Sequence, residues 1–237
     1  MDISISFAII SLAALIHASF QLSVSVLTLL SSRTIGAKKS HTRLLHLTSS
    51  FIFGVGTMTV LLLATIALIL LSILKYQTPV LIWMICCAVL VFVSLLIWLF
   101  YYNGKKGTTL WIPRSVARYL TNRIKQTTIG AESFSLGLSS VLGELLFVIA
   151  PIFASALVLI QLSSTWQLIG IGTYTVISLL PLAIVWMLIG GGHSLSHIQK
   201  WRESNKRFLQ FISGFGLIVL SFFIFVFEVL NATSGVL

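Results

Sequence analysis

Charged residues are scarce in this 237-residue chain, at 8% of all positions, whereas 57% of the residues are hydrophobic. A soluble domain typically carries about 25% charged residues, so the shortage argues against an ordinary soluble fold. Acidic residues are the rarer kind, with five Asp and Glu against fifteen Lys and Arg. The net charge of +10 does not call for a nucleic-acid partner, and we expect none. Basic residues also orient a membrane protein and contact anionic lipid headgroups, which accounts for the charge.

Cysteine is nearly absent as well: the only two, Cys86 and Cys87, are adjacent and lie within an apolar run. This arrangement excludes a disulfide framework. The sequence also shows no ATP-binding motif and no histidine–carboxylate cluster of the kind that holds a catalytic metal. We therefore expect neither an enzyme nor a bound cofactor, and we assign no metal ligands.

Long apolar segments account for most of the chain. A membrane-spanning helix needs about 20 mostly apolar residues, because the hydrocarbon core is about 30 Å thick and each helical residue rises about 1.5 Å. Six segments meet this requirement: residues 5–31, 46–74, 79–102, 132–162, 165–190 and 208–230. We predict an all-α polytopic protein with six transmembrane helices in a single membrane domain, residues 1–237.

The basic residues are distributed unevenly among the loops between these segments. The first, third and fifth loops hold all fifteen Lys and Arg residues except Lys75. By the positive-inside rule, these loops are cytoplasmic and both termini lie outside. Within the third loop, the linker at about residues 104–130 has apolar and basic positions on different faces. It is predicted to form an amphipathic helix at the inner-leaflet interface, where anionic lipid headgroups are its partners.

Two stretches of the chain are similar enough to suggest an internal repeat. "GVGTMTVLLLATIALIL" at 54–70 and "GIGTYTVISLLPLAIVW" at 170–186 share two glycines, two threonines and a valine at the same spacing. The second segment thus matches the fifth, which divides the chain into repeats at about 1–103 and 131–237. A repeat of three helices crosses the membrane an odd number of times, so its second copy starts from the opposite side. The two repeats are therefore inverted relative to each other, as in many transporters. Two alternatives would explain the same residues: chance similarity between two apolar segments, or similar helix packing in both without a role in transport.

Polar side chains within the apolar segments are the candidate functional residues, because ionisable groups at membrane depth are costly and rare. The stretch "SVLGELLFVIAP" places Glu144 in the middle of the fourth segment. At helical spacing, Glu144 shares a face with Ser140. The first segment carries a similar polar face made of His17, Gln21 and Ser25. We predict that these five residues line a binding site between the first and fourth helices.

The residues of this site receive separate roles. His17 and Gln21 are expected to bind a solute, and Glu144 to bind a cation or carry a proton. Burial favours the neutral form of a carboxyl, so the alternative is a protonated Glu144 that serves only in packing. Hinge or gating roles are expected for two prolines, which remove helical hydrogen bonds, and for two threonines of the repeat. These residues are Pro151, Pro181, Thr57 and Thr173.

Several stretches carry a resemblance to a known family. They are "HASFQLSVSVL" in the first segment, "SFSLGL" and "FVIAP" in the fourth, "LLPLAIVWMLIGGG" in the fifth and "FISGFGLIVLSFFIF" in the sixth. Their order resembles the DsbD/CcdA-type transmembrane domain of the LysE-like exporter superfamily. The resemblance implies a bacterial cytoplasmic membrane protein with two inverted repeats, in which helices one and four cross at the centre.

The family's redox cysteines are missing from the matching positions, where Leu22 and Val148 stand instead. Thiol–disulfide exchange needs an attacking thiolate and a second sulfur, so electron transfer is not expected. The sequence favours a small permease or exporter of an ion or small polar solute. The alternative is a non-transporting scaffold or accessory subunit derived from the same fold. A homo-oligomer or a membrane partner is compatible with either function.

Overall fold

The computed structural model describes residues 2–20, 22–35, 41–75, 78–101, 114–191, 201 and 204–231. This part of the chain is helical and contains no strand. Its helices are α1 (Ile3–Ser19), α2 (Leu22–Ile35), α3 (His41–Leu74), α4 (Val80–Leu96), α5 (Arg114–Gln126), α6 (Gly130–Leu159), α7 (Ser164–Ser178), α8 (Leu180–Gly190) and α9 (Lys206–Ile224). Two π-helical segments, Ile97–Tyr101 and Phe225–Leu230, continue α4 and α9.

Four helices, α3, α4, α6 and α9, are long and apolar enough to cross a membrane. Two further candidate spans are bent: α1 meets Val24–Leu30 of α2 at 44°, and α7 meets α8 at 49°. If each bent pair is one span, the described part of the chain has the six spans predicted from the apolar segments. An all-helical protein with membrane-spanning segments is therefore confirmed, and the bend in the first span is a feature that the sequence did not predict.

The two bends have different local causes. At the end of α1, Phe20 adopts an extended conformation, with φ −75° and ψ 141°, and its N–H bonds back to the carbonyl of His17 at 3.0 Å. At the other bend, Pro181 is the second residue of α8 and has no N–H to continue the hydrogen-bond ladder of α7. A proline is tolerated at the start of a helix, so the ladder restarts at Leu180.

Helices α3 and α6 form the most extensive pair in the bundle. They cross at two glycines, Gly54 and Gly137. A Cβ atom on Gly54 would collide with the carbonyl oxygen of Phe134, and a Cβ atom on Gly137 would collide with that of Phe51. Small residues of this kind let membrane helices approach until their backbones touch. One turn earlier, the Ser133 hydroxyl donates to the carbonyl of Leu47 at 2.6 Å and ties the same pair together.

Helices α4 and α9 form a second pair, joined by hydrogen bonds between their side chains and backbones. The Ser94 hydroxyl donates to the carbonyl of Gly214 at 2.8 Å, and the Cys87 thiol and Ser221 hydroxyl each bond to the other residue's carbonyl. At the π-helical end of α4, the Gln210 amide donates to two backbone carbonyls. Both cysteines are free and buried, and Cys87 contributes to this helix pairing.

The amphipathic linker helix is present as α5, which begins at Arg114. Leu120 and Ile124 are buried, whereas Arg118 and Lys125 are exposed. The buried residues belong to an apolar cluster with residues of α2, α3, α6 and α8. The apolar face of the helix therefore packs against the bundle itself.

Two apolar clusters make up the interior of the bundle. The first cluster is formed by α1, α4, α7, α9 and the second halves of α3 and α6, and includes Ile10, Phe147 and Leu217. The second cluster is formed by α2, α5, α8 and the N-terminal parts of α3 and α6, and includes Leu27 and Val185. The buried polar residues of the candidate site lie where the two clusters meet.

Candidate functional site

A small internal cavity lies beside both helix bends. Its polar lining residues are His17 of α1, Thr59 of α3, Glu144 of α6 and Ser178 of α7. Its apolar lining residues are Ala18, Phe20, Val24, Val55, Pro181 and Leu182. Phe20 belongs to the first apolar cluster, whereas Val24, Val55 and Leu182 belong to the second. The cavity therefore lies at the boundary of the two apolar clusters and carries four polar side chains in its lining.

The volume of the cavity is about 20 Å³. A site of roughly 10–15 Å³ by this measure is enough for one water molecule. In this conformation the cavity therefore accommodates a single water molecule or an ion of similar size. A larger solute requires the surrounding helices to separate.

Glu144 is 4% exposed and projects into this cavity from the middle of α6. Burying an ionised carboxylate costs several kcal/mol unless a partner or a proton compensates its charge. Ser140, one helical turn earlier, is fully buried, and its hydroxyl donates to the carbonyl of Gly137 at 2.8 Å. The predicted polar face of the fourth span is thus inside the bundle, although only Glu144 lines the cavity.

His17 approaches the cavity from the last turn of α1 and is 5% exposed. Its Nδ1 atom lies 3.0 Å from the hydroxyl oxygen of Tyr174, a fully buried residue of α7. The two rings are tilted by 54°, with centroids 5.6 Å apart. This hydrogen bond joins the first span to the fifth at the level of the cavity.

Sequence reasoning missed Tyr174, although two signals pointed to it. Tyr174 lies four residues after Gly170 and four before Ser178, so the three share one face of α7. Gly170 is buried against Leu159 and Ile10, and that contact places the face toward the bundle. In the internal repeat, Tyr174 stands at the position that Met58 occupies in the first copy, within an otherwise similar segment. The second copy thus carries a hydroxyl where the first has an apolar side chain.

Of the remaining predicted site residues, some line the cavity and others do not. Gln21 lies outside the described residues. Ser25 is half-buried on α2 and does not line the cavity. Pro181 lines the cavity at the α7–α8 bend. Pro151 is buried two turns beyond Glu144, and α6 continues without interruption from Gly130 to Leu159.

The two predicted threonines do not reach the cavity. Thr57 is exposed, and its hydroxyl donates to the carbonyl of Phe53 at 2.8 Å. The Thr173 hydroxyl donates in the same way to the carbonyl of Ile169 at 2.9 Å. The threonine of α3 that faces the cavity is Thr59. The threonines predicted to act in gating, Thr57 and Thr173, therefore lie away from the cavity lining.

No group of three or more His, Cys, Asp or Glu side chains in the described part of the chain could hold a metal ion. The cavity brings together one imidazole, one carboxyl and two hydroxyls. Such a set can hydrogen-bond a water molecule or a small polar group, and its carboxyl can exchange a proton or pair with a cation.

Comparisons of the chain with protein-family models, with curated proteins and with solved structures find no match. Function is accordingly inferred from the site itself.

Proposed function

We propose that the protein is a small permease or exporter of an ion or small polar solute, with its site between the first and fourth spans. The observation that carries this proposal is the buried Glu144, which shares a cavity with His17 at the level where two spans are bent. Ionisable residues at membrane depth typically mark ion or solute pathways. Discontinuous helices likewise form the binding sites of many secondary transporters.

The arrangement of helices supports two inverted repeats. Under that symmetry, spans one, two and three correspond to spans four, five and six. The contact of span two with span four then corresponds to that of span five with span one. Gly54 packs on α6 in the first of these contacts, and Gly170 faces Ile10 of α1 in the second, although its nearest neighbour is Leu159 of α6. The contact of Gly170 with α1 is the part of this arrangement that supports the repeat. The uneven charge of the loops favours both termini outside.

The two apolar clusters suggest how access is controlled. A transporter must open a central site to one side of the membrane at a time. Here residues of the first and second apolar clusters both line the cavity. We interpret this conformation as an occluded state, in which movement of either set of half-helices opens a path. The bend at Pro181 supports a hinge role for this residue, whereas the continuity of α6 through Pro151 offers no such support.

The test is a conservative change at the buried carboxyl. Glu144→Gln keeps the shape and hydrogen-bonding capacity of the neutral acid but cannot ionise. We expect normal membrane abundance and at least a tenfold loss of transport, measured as proton, Na⁺ or K⁺ flux in proteoliposomes or as rescue of a deletion strain. Glu228→Gln is the matched control, because Glu228 is half-buried near the far end of the last span. Full activity of Glu144→Gln would contradict the proposal.

The alternative function, a non-transporting scaffold or accessory subunit with a DsbD/CcdA-like arrangement, is favoured by one observation. The Thr59 and Ser178 hydroxyls at the cavity donate to carbonyls of their own helices, at 3.0 and 2.9 Å. Hydroxyls bonded in this way are already satisfied and need no ligand. An abundant and fully active Glu144→Gln variant is the outcome that this alternative predicts.

A further inference from the structure

The contact between Tyr174 and His17 determines which kind of group the cavity offers to an occupant. A neutral imidazole has one nitrogen that donates a hydrogen bond and one that accepts. Whichever role Nδ1 takes toward Tyr174, Nε2 must take the other. Because His17 lines the cavity, the Tyr174 contact sets the chemistry of the site at Nε2.

The burial of Tyr174 decides between the two roles. In the described part of the chain, the hydrogen bond to His17 Nδ1 is the one that the Tyr174 hydroxyl makes. If Nδ1 were the donor, the hydroxyl hydrogen of a fully buried tyrosine would be left without an acceptor. If the hydroxyl donates to Nδ1, both groups are satisfied. The second arrangement leaves the ring proton of His17 on Nε2.

His17 lines the cavity, and its Nε2 atom takes no part in the contact with Tyr174. Among the described residues, the fully buried side-chain atoms that lack a hydrogen-bond partner are Thr78 Oγ1 and Ser155 Oγ. His17 Nε2 is not one of them, and the hydrogen bond that His17 makes is through Nδ1. Nε2 is therefore the ring nitrogen that remains for an occupant of the cavity.

We propose that Tyr174 is a positioning residue that holds His17 with its proton on Nε2, so that the site presents an N–H donor rather than a metal-binding lone pair. The ligand class that fits is a hydrogen-bond acceptor of single-water size, placed between this donor and the Glu144 carboxyl. A cavity of about 20 Å³ holds one such molecule. The inference rests on the proposed function and specifies it: the occupant is a water molecule that can pass a proton to or from Glu144.

The first experiment reads the tautomer directly, without any assay of activity. The protein is labelled with ¹⁵N-histidine, reconstituted in lipid nanodiscs and examined by NMR at neutral pH. The His17 signals are assigned by their loss in His17→Gln. We expect an unprotonated, hydrogen-bonded Nδ1 and a protonated Nε2. A proton on Nδ1 in the wild-type protein would overturn the inference.

Removal of one hydroxyl then separates positioning from packing. Tyr174→Phe keeps the ring in its buried place but removes the donor to Nδ1. We expect the His17 signals to shift toward a mixture of tautomers and transport to fall about tenfold at unchanged abundance. Tyr119→Phe, the same change on the exposed face of α5, serves as the control and should alter neither. Unchanged His17 signals in Tyr174→Phe would contradict the positioning role.

Addition of Zn²⁺ alone tests the ligand class. A metal ion can bind His17 through Nε2 only by displacing its proton. We expect the Nε2–H signal of His17 to persist at micromolar Zn²⁺, and its loss would show that the site binds metal. These results remain distinct from the test of transport: a wrong tautomer leaves the effect of Glu144→Gln intact, whereas an active Glu144→Gln variant leaves the tautomer unaffected.

Discussion

Helices α3 and α6 run unbroken through the molecule, whereas the α1–α2 and α7–α8 pairs each bend by more than 40° beside the cavity. The unbroken pair is held by direct backbone contact at Gly54 and Gly137. The bent pairs carry His17 and Pro181, and α6 contributes Glu144. The difference suggests different roles for the two kinds of helix: α3 and α6 hold the Glu144 carboxyl in place, and the bent spans move relative to them. Each prediction below tests one side of this comparison.

The largest effect is expected at the crossing of the unbroken pair. In Gly137→Ala, the added Cβ atom would meet the carbonyl oxygen of Phe51, so the helices must separate. Overpacking of this kind costs about 1–3 kcal/mol, and we expect membrane abundance to fall at least tenfold. Quantitative immunoblotting of membranes and size-exclusion profiles in detergent measure the loss.

Gly172 provides the matched control for this change. Like Gly137 it lies inside a span, but a Cβ atom built on it meets nothing within 4 Å. Gly172→Ala should leave abundance unchanged or raise it, because alanine is favoured over glycine in a helix by about 1 kcal/mol. Equal losses in both variants would mean that the glycine crossing does not hold the unbroken pair.

The next largest effect is expected at the bend between α7 and α8. Pro181→Ala restores the N–H that the ladder of α7 lacks, so the two helices can join into one straight span. We expect transport to fall about tenfold, with abundance within twofold of wild type, because the wall of the cavity moves away from Glu144. Flux in proteoliposomes, normalised to reconstituted protein, provides the measurement.

Pro151→Ala separates the two prolines that the sequence proposed as hinges. Because α6 already continues through Pro151, the substitution should reduce transport less than Pro181→Ala does. A greater loss from Pro151→Ala would indicate that the hinge lies in α6 and not in the bent α7–α8 span. It would contradict the view that α6 is a rigid support.

The two bends also show how far the sequence could predict this fold. The four unbroken candidate spans and the two bent ones follow from apolar length alone. The α7–α8 bend coincides with a proline whose missing N–H is evident from the sequence. The bend at Phe20 has no such signal: the residue is extended, and its ring stacks on Phe147 of α6 with centroids 6.1 Å apart. No local pattern in "HASFQL" predicts where that partner lies.

The candidate site was predictable to a similar degree. His17 and Glu144 were found because ionisable groups are rare at membrane depth. Tyr174 was missed because an aromatic residue in an apolar run is ordinarily read as core or lipid-facing. The repeat was recognised by residue identity and not by helical phase, so it did not show that Thr59, and not Thr57, lines the cavity. Residues two apart on a helix point about 200° away from each other, so Thr57 and Thr59 cannot both face the interior.

The smallest effect is expected at those two threonines, which compare the two faces of one unbroken helix. Thr59→Val replaces a cavity hydroxyl by a methyl group of nearly the same size. Because that hydroxyl donates within α3 to the carbonyl of Val55, its loss should leave abundance unchanged. It should lower transport about threefold, since the cavity then offers one polar group fewer to its occupant.

Thr57→Val makes the same chemical change on the exposed face, where the hydroxyl donates to Phe53 in the same way. It should change neither abundance nor transport. Both variants lose an equivalent bond within the helix, so any difference between them reports the cavity and not the stability of α3. If Thr57→Val proved the more damaging of the two, α3 would take part in gating through its outer face, and the unbroken pair would no longer be a passive support.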